Sequence, residues 1–276
     1  MTDRYAVIGN PIAHSKSPQI HSAFARQTGQ NIEYIRLLAP ADGFRGTVES
    51  FRAAGGRGAN VTLPFKLEAF ELADEVSQRA KDAQAANFLS FDGRRIRADN
   101  TDGAGLIRDL SANLGFNLAG RRVLLMGAGG AARGALQPLL AQQPAILAVA
   151  NRTVEKALQL AEAFRYHPSA VSSVLSGLRY DELAGHHFDL IINATSSSLQ
   201  GEVPPLPAGM FAEGSLAYDM MYSSGLTRFL AFAKSQGAAR LADGLGMLVE
   251  QAAESFFLWR GVRPETAPVI DLLRNQ

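Results

Sequence analysis

The sequence predicts an α/β fold that is divided into two domains. The chain has 276 residues, which exceeds the usual size of a single domain. Apolar runs alternate with amphipathic helical patterns along its length, as in parallel α/β sheets. One segment, RRVLLMGAGGAARGAL at residues 121–136, has the form of a strand, a glycine-rich turn and a helix. Together these observations predict an N-terminal α/β domain followed by a doubly wound sheet of the Rossmann type.

The first domain is predicted from its strand patterns and helix-start signals. Ser17 is a good N-cap and Pro18 a good first helical residue, so we expect a helix that begins there and that Gly29 ends. Pro64 should open a second helix, and a helix at 105–114 should lead into the second domain. The strands of this domain are expected at residues 5–8, 32–38, 58–62 and 87–91.

The second domain continues the same alternation. We expect strands at residues 123–126, 146–150, 190–193 and 216–219, a helix after the glycine-rich turn that ends at residue 141, and a helix at 153–164. A long helix at 246–259 carries apolar residues at helical spacing. We therefore expect residues 1–103 to form the first domain, with C-terminal helices at 244–276 packing back on it, and residues 104–243 to form the second.

Composition excludes several function classes. Basic and acidic residues nearly cancel, 27 against 26, without the clustered Lys and Arg that nucleic acid would require. The chain has no cysteine, so a disulfide, a thiolate nucleophile and a Cys-ligated metal are impossible, and the five histidines lack metal-ligand spacing. Neither a signal peptide nor a membrane-spanning segment is evident. We expect a cytoplasmic protein, monomeric or homodimeric, with a small-molecule substrate and no metal.

The glycine-rich turn at residues 127–132 meets the needs of a pyrophosphate. Gly127 would allow the tight turn after the strand, Gly129 would let the backbone approach the ligand, and Ala132 would let the helix pack closely. The helix dipole favours an anion at this end. The predicted phosphate-binding residues are Gly127, Ala128, Gly129, Gly130 and Ala131.

The end of the next strand indicates which dinucleotide is bound. NAD sites usually place Asp or Glu there, whereas NADP sites place a cation for the 2′-phosphate. No acidic residue occurs between Arg121 and Val154, and the strand is followed by Asn151, Arg152 and Thr153, with Lys156 one helical turn later. These residues predict NADP(H) as the cofactor. Helix capping with a solvated arginine is the alternative.

Three polar clusters in the first domain follow predicted strands: GNPIAHSKSPQIH at 9–21, GANVTLPFK at 58–66 and DNTDG at 99–103. Ser15 and Ser17 could bind a carboxylate at a helix start, although capping alone would also explain Ser17. Lys66 opposes the dipole of its predicted helix, so its position indicates a function. Asp102 taken alone would be an ordinary cap or turn residue.

The chain resembles the shikimate dehydrogenase family over essentially its whole length. The matching segments, in order, are YAVIGNPIAHSKSP, GANVTLPFK, DNTDG, GAGGAARG, NRT, INATSS, YDMMY and DGLGMLVEQA. The resemblance implies NADPH-dependent reduction of 3-dehydroshikimate to shikimate, a step in aromatic amino acid biosynthesis. It also implies two α/β domains with the active site in the groove between them.

The resemblance assigns roles to individual residues. Lys66 and Asp102 correspond to the catalytic pair, and which of them transfers the proton stays open. Met220 and Gly244 correspond to residues at the nicotinamide end of the cofactor. The implied substrate ligands are Ser15 and Ser17 for the carboxylate, Thr62, Asn87, Asp102 and Gln251 for ring hydroxyls, and Tyr222 from the cofactor domain.

The sequence departs from the family pattern in a few places, and two other functions remain possible. Phe88 follows Asn87 where the family usually has a small hydroxyl residue, residues 198–201 lack an early glycine, and Arg228 stands where proline is common. One alternative is a quinate/shikimate dehydrogenase that uses NAD, against which Arg152 argues. The other is a non-catalytic NADP-binding regulator, which would not need both Lys66 and Asp102.

Overall fold

The computed structural model describes residues 2–195 and 205–275. The chain clusters into two compact units. Residues up to Gly105, together with those from Leu248 onward, form the first unit, and Leu106–Met247 form the second. Each unit is built around its own six-stranded sheet. The predicted two-domain α/β fold is therefore confirmed.

The first part of the chain alternates strands and helices. Its elements are β1 (Asp3–Gly9), α1 (Ser17–Thr28), β2 (Ile32–Leu38), α2 (Phe44–Ala53), β3 (Gly56–Val61), α3 (Lys66–Leu72), β4 (Glu75–Val76), α4 (Gln78–Ala83), β5 (Phe88–Asp92), β6 (Arg95–Asp99) and α5 (Asp102–Arg108). A π-helical turn, Asp109–Asn113, extends α5, so this helix begins three residues before the predicted start at 105.

The second part is more regular. Its elements are β7 (Arg122–Met126), α6 (Gly130–Leu140), β8 (Ile146–Ala150), α7 (Val154–Phe164), β9 (Val174–Leu178), β10 (Phe188–Asn193), β11 (Phe211–Asp219), α8 (Arg228–Ser235), β12 (Arg240–Asp243), α9 (Leu245–Arg260) and α10 (Ala267–Arg274), with short 3-10 turns at Pro168–Ala170 and Asp181–Leu183. None of the helices described is long and apolar enough to cross a membrane.

The sheet of the first unit is mixed, with strand order β2-β1-β3-β5-β6-β4. The alternation of strands and helices is typical of parallel sheets, but here β5 runs antiparallel to both β3 and β6. Only Gly93 and Arg94 join β5 to β6. A connection of two residues allows a hairpin, whereas a parallel crossover needs a dozen residues or more.

Two predicted helix starts in the first unit are wrong. Lys16, not Ser17, occupies the N-cap position of α1, and Ser17 is the first helical residue. Pro64 lies in a turn, and α3 begins two residues later at Lys66. The predicted end of α1 is confirmed, because Gly29 adopts the left-handed conformation after Thr28, with φ of 66°.

The sheet of the second unit is parallel throughout, with strand order β12-β11-β10-β7-β8-β9. Both of its faces are covered, as parallel sheets require. Val123 and Leu125 of β7 pack into one apolar cluster, and Leu124 and Met126 pack into another. The strand order reverses between β7 and β10, which is where a doubly wound sheet binds its ligand.

Candidate active site

The polar clusters of the first unit meet at one edge of its sheet. Strands β1, β3 and β6 end at this edge, and the antiparallel β5 begins there, since Phe88 pairs with both Asn60 and Asp99. Asn87 immediately precedes β5. The segments that carry Ser15, Lys66, Asn87 and Asp102 therefore lie at the same edge of the sheet.

Lys66 and Asp102 form a close ion pair. The Lys66 Nζ donates to Asp102 Oδ2 at 2.6 Å, and the Asn87 Nδ2 donates to Asp102 Oδ1 at 2.8 Å. The side chains of Lys66 and Asp102 are 30% and 20% exposed. The ammonium carries three donors, so it can bind Asp102 and still offer an N–H to a ligand.

The amide of Asn87 is held in one orientation. Its Oδ1 accepts from the backbone N–H of Thr101 at 2.7 Å. Its Nδ2 faces acceptors on Thr101 and Asp102, and also the Gln251 Oε1 at 3.3 Å. Rotation of the amide by 180° would turn its NH₂ toward the Thr101 N–H, two donors facing each other. Sequence analysis missed Thr101, although it lies inside the DNTDG segment and is fully buried.

An ion-pair network supports the DNTDG segment from behind. Arg79 donates to Asp99 through Nε and Nη2, and its Nη1 donates to Glu254 at 2.9 Å. Burial opposes the charge of Arg79, but hydrogen bonds and charge from Asp99 and Glu254 raise its pKa. Asn100 then accepts from the backbone N–H of Asp102 at 3.1 Å. These contacts hold the backbone in place at Asp102, the first residue of α5.

Ser15 and Ser17 form the second polar group of the first unit. Ser15 Oγ donates to Ser17 Oγ at 3.2 Å and accepts from the Ser17 backbone N–H at 3.3 Å. Arg36 Nε donates to the Ser15 carbonyl at 3.0 Å, which steadies the loop before α1. Thr62 lies beside Gly9, where an added Cβ would come within 2.5 Å of the Thr62 methyl.

Phe88 does not disturb the hydrogen bonds of Asn87. Its ring is 4% exposed and stacks on Trp259, with ring centroids 5.0 Å apart. Since Phe88 is on β5 and its side chain packs into an aromatic cluster, the departure from the family pattern changes the core rather than the Asn87 amide.

The glycine loop of the second unit follows β7. Gly127 has φ of +106°, a conformation that L side chains rarely adopt, and an added Cβ would lie 3.2 Å from the Ala194 carbonyl. Gly129 and Gly130 are exposed, and a Cβ on either would meet no atom within 4 Å. Ala132 is fully buried in a core cluster. The loop thus combines a turn that favours glycine, open backbone and close helix packing.

This loop and the start of α6 fit a pyrophosphate. Helix α6 begins at Gly130 and has no side-chain cap, so its first N–H groups are not satisfied by a capping side chain. Ala128 is half-buried and Ala131 is exposed at the same end. Amide groups of this kind at the N-terminus of an eleven-residue helix favour a phosphate group.

The residues after β8 suit the phosphate of NADP. Arg152, Thr153 and Lys156 are exposed, and the Asn151 Nδ2 donates to the Thr153 carbonyl at 2.9 Å. Thr153 occupies the N-cap position of α7 but makes no side-chain cap hydrogen bond. Thr153 therefore does not cap α7 through its side chain.

Met220, Tyr222 and Gly244 lie after β11 and β12. A Cβ on Gly244 would be 2.1 Å from the Met220 carbonyl oxygen, so only glycine fits there. The buried Asp219 organises this region, because it accepts from the Asn193 Nδ2, the Met221 N–H and the Thr227 hydroxyl. Burial, together with the charge of Asp243, raises the pKa of Tyr222.

The structure thus groups the predicted residues within each unit. Lys66, Asn87, Asp102 and Gln251 meet in the first unit, where Ser15 and Ser17 form a separate pair. The predicted cofactor residues and Tyr222 lie after strands of the second unit. Residues 198–201, where the sequence departs from the family pattern, lie outside the described residues. Within the described ranges, no group of three or more acidic or histidine residues could hold a metal ion.

Family models match three parts of the chain. The model of the shikimate dehydrogenase substrate binding domain matches residues 7–89, and that of shikimate / quinate 5-dehydrogenase matches residues 109–200. The model of the shikimate 5'-dehydrogenase C-terminal domain matches residues 244–274.

Whole-chain comparisons give the same result. The shikimate dehydrogenase (NADP(+)) of Nitrosospira multiformis is 63% identical, over 100% of this chain and 98% of its own. A crystal structure of an Ael1 enzyme from Pseudomonas putida has a TM-score of 0.92 at 53% identity, covering 99% and 98% of the two chains. Shikimate 5-dehydrogenase from Thermus thermophilus, in complex with NADP(H) and shikimate, has a TM-score of 0.87 at 33% identity, covering 99% of both. The chain therefore belongs to the shikimate dehydrogenase family.

Proposed function

We propose that this enzyme reduces 3-dehydroshikimate to shikimate with NADPH. The observation that carries the proposal is the Lys66–Asp102 pair, which is bound to Asn87 and lies beside Gln251. A ketone reductase needs a cation and a proton donor at the carbonyl oxygen, and it needs polar groups that orient the ring hydroxyls. The first unit offers both within one hydrogen-bonded group.

Each polar group has a proposed role toward the substrate. Ser15 and Ser17, at the start of the twelve-residue α1, would bind the carboxylate. Thr62, Asn87 and Gln251 would bind ring hydroxyls. Both oxygens of Asp102 already accept one hydrogen bond, and each keeps a second lone pair for a substrate hydroxyl. We assign Tyr222 of the second unit as a further substrate ligand.

Lys66 is the proposed proton donor. Negative charge develops on the carbonyl oxygen during reduction, and an ammonium beside it stabilises that charge and then supplies the proton. Asp102 orients the ammonium and accepts from the neighbouring hydroxyl. In the reverse direction, a neutral Lys66 would accept the alcohol proton.

The second unit would hold NADP(H), which when bound supplies the hydride for the carbonyl carbon. Gly127–Ala131 would bind its pyrophosphate, and Asn151, Arg152, Thr153 and Lys156 its 2′-phosphate. Met220 and Gly244 would border the nicotinamide. We further propose a cytoplasmic enzyme, monomeric or homodimeric, without a nucleic-acid partner. The absence of cysteine suits a reducing cytoplasm, and a net charge of only +1 does not favour binding to nucleic acid.

One assay tests the activity directly. Reduction of NADP⁺ and of NAD⁺ would be measured with shikimate and with quinate, in all four combinations. We expect the highest kcat/KM for NADP⁺ with shikimate. Faster turnover of quinate with NAD⁺ would instead identify a quinate/shikimate dehydrogenase, and no turnover in any combination would identify a non-enzyme.

A Lys66→Ala variant tests the catalytic assignment. We expect kcat to fall by roughly a hundredfold or more, with a much smaller change in the KM for shikimate, because the interaction is made mainly in the transition state. The control is Lys81→Ala, which removes an exposed lysine from α4. A near-normal kcat for Lys66→Ala would remove this residue from catalysis.

An Arg152→Ala variant tests the choice of cofactor. One charge-assisted contact is worth ~1.5–3 kcal/mol, so affinity for NADPH should fall roughly tenfold to a hundredfold while affinity for NADH changes little. Binding would be measured by titration of each cofactor. Arg165→Ala, which changes an exposed arginine after α7, is the control. Equal losses for both cofactors would show that Arg152 does not recognise the 2′-phosphate.

A further inference from the structure

A buried chain of polar side chains runs behind the substrate residues of the first unit. The Tyr34 hydroxyl, on β2, donates to Asn60 Oδ1 at 2.8 Å. Asn60, on β3, donates through Nδ2 to the Asn87 carbonyl at 3.1 Å and to the Ser255 hydroxyl at 2.9 Å. Ser255 lies 3.2 Å from the Thr101 hydroxyl. These polar side chains therefore contact Asn87 through Asn60 and Thr101 through Ser255.

These groups are deep inside the unit. Tyr34 and Asn60 are 7% and 6% exposed, and Ser255 is fully buried. Polar side chains in the interior cost free energy unless their hydrogen bonds are made, and an apolar core would avoid that cost. These buried polar side chains lie next to the proposed substrate residues. A role in the site would therefore explain why they are polar.

Two contacts connect this chain to the proposed ligands of the ring hydroxyls. Asn60 holds the backbone carbonyl of Asn87, whose side-chain amide points at Asp102. Ser255 donates to the Gln251 carbonyl at 3.0 Å, one turn earlier on α9. The Asn60 amide is itself oriented, because its oxygen accepts from Tyr34 and its NH₂ faces two acceptors.

The connected polar side chains also extend toward Ser15 and Ser17, the proposed ligands of the substrate carboxylate. The Ser17 hydroxyl faces that of Tyr34 and opposes part of the rise in the pKa of Tyr34 that burial causes. Ser17 in turn accepts from Ser15. The Tyr34 hydroxyl therefore lies near the Ser15–Ser17 pair as well as being bound to Asn60.

We propose that Asn60, held by Tyr34 and Ser255, is a positioning residue that fixes the backbone at Asn87 and so orients the Asn87 amide toward the substrate hydroxyls, and that it acts on Gln251 only through the contact of the Asn87 Nδ2 with the Gln251 Oε1. This inference rests on the proposed function, because it assigns those hydroxyls to Asn87 and Gln251. Asn60 itself does not touch the substrate. It acts by keeping one arrangement of donors and acceptors in the site before the substrate binds.

The test uses variants that remove one hydroxyl each, Tyr34→Phe and Ser255→Ala, and the double variant. We expect kcat/KM for shikimate to fall by about fivefold or more in each, while the KM for NADP⁺ stays within about twofold of wild type. Tyr5→Phe is the matched control. Tyr5 is 3% exposed and belongs to the same aromatic cluster, but its hydroxyl accepts from Arg260, outside the polar chain.

The melting temperature separates positioning from stability. If the chain of hydrogen bonds only stabilised the unit, Tyr34→Phe and Tyr5→Phe would lower the melting temperature but leave shikimate kinetics unchanged well below it. Unchanged kinetics in Tyr34→Phe, Ser255→Ala and the double variant overturn this inference alone. A wild-type protein that does not oxidise shikimate with NADP⁺ overturns the proposed function, and this inference with it.

Discussion

Lowering the pH should destabilise the first unit through His21, whose imidazole ring is fully buried. The ring stacks on Tyr34 with centroids 4.1 Å apart and planes at 5°. Neither ring nitrogen has a hydrogen-bond partner among the residues described. Burial lowers the pKa of His21 from 6.5 to about 3, and the neighbouring Asn60 side chain opposes only part of this shift. The folded protein therefore keeps His21 neutral in mildly acidic solution.

The sign and size of the effect follow from proton linkage. Below pH 6.5 the unfolded chain binds a proton at His21 that the folded chain does not bind, down to about pH 3. Stability must then fall as the pH falls through this window, by ~1.4 kcal/mol per pH unit once the unfolded histidine is fully protonated. From pH 7 to pH 5 the free energy of unfolding should drop by about 2 kcal/mol from this residue alone.

Chemical unfolding followed by tryptophan fluorescence measures this drop. Trp259 is the only tryptophan in the chain, and its ring lies 5.6 Å from that of His21. A His21→Phe variant keeps an aromatic ring but cannot titrate, so the difference from wild type isolates His21 from the other acidic and basic groups. His14→Gln, which changes an exposed histidine of the same unit, is the control and should behave as wild type does.

The refuting result is specific. If His21→Phe loses as much stability between pH 7 and pH 5 as wild type does, the imidazole is protonated within the folded protein and the argument from burial is wrong. A drop of about 2 kcal/mol in wild type and His14→Gln, absent from His21→Phe, supports it.

Two further predictions concern packing and buried charge, and heat unfolding measures both. Gly58→Ala should lower the free energy of unfolding by ~1–3 kcal/mol, because the new Cβ would lie 2.3 Å from the Trp259 Nε1. Gly46→Ala, on the exposed side of α2, should raise it by ~0.5–1 kcal/mol. A loss in both, or in neither, would contradict this reading. Asp219→Asn should lower the free energy of unfolding by ~1–3 kcal/mol, because an amide NH₂ would face groups that donate to the carboxylate. Asp42→Asn, at an exposed position, should change it by less than about 0.5 kcal/mol. Equal effects of these two substitutions would show that the donors around Asp219 rearrange freely.

The second unit could be predicted from sequence because its signals are local. Four of its six strands contain the short apolar runs that predict them, whereas β9 and β12 were not predicted. The glycine turn at 127–132 directly follows one of the predicted strands. The hairpin of β5 and β6 was harder to predict. Residues 94–97 read RRIR, and only the observed pairing shows that Arg95 and Arg97 point outward while Ile96 is buried. The arginines of this segment are untypical of a strand, so the local sequence did not predict β6, which tertiary packing stabilises.

The same distinction applies to the candidate site. Lys66 and Asp102 lie in segments that match the family pattern, whereas Asn87 lies beside a departure from it. The position of Lys66 indicated a function by itself, but the proposed roles of Asn87 and Asp102 came from the resemblance. Asn60 and Ser255 could not be identified in this way, because they are 195 residues apart in sequence and their hydrogen bond depends on how α9 packs on β3. Helix starts were misjudged at Ser17 and Pro64 for a related reason, since capping preference is weaker than the turns around these residues.

The first unit is discontinuous in sequence, and this determines when it is completed during synthesis. The second unit, Leu106–Met247, is one continuous stretch. The ribosome makes the strand that carries Asn60 early, but the Ser255 that binds it is made 195 residues later, together with the end of α9. Domains fold as their residues emerge, so the continuous unit can assemble while the other still lacks its last helices. The first unit, which carries the proposed substrate-binding residues, is therefore the last to be completed, and we expect activity only after α9 has left the ribosome.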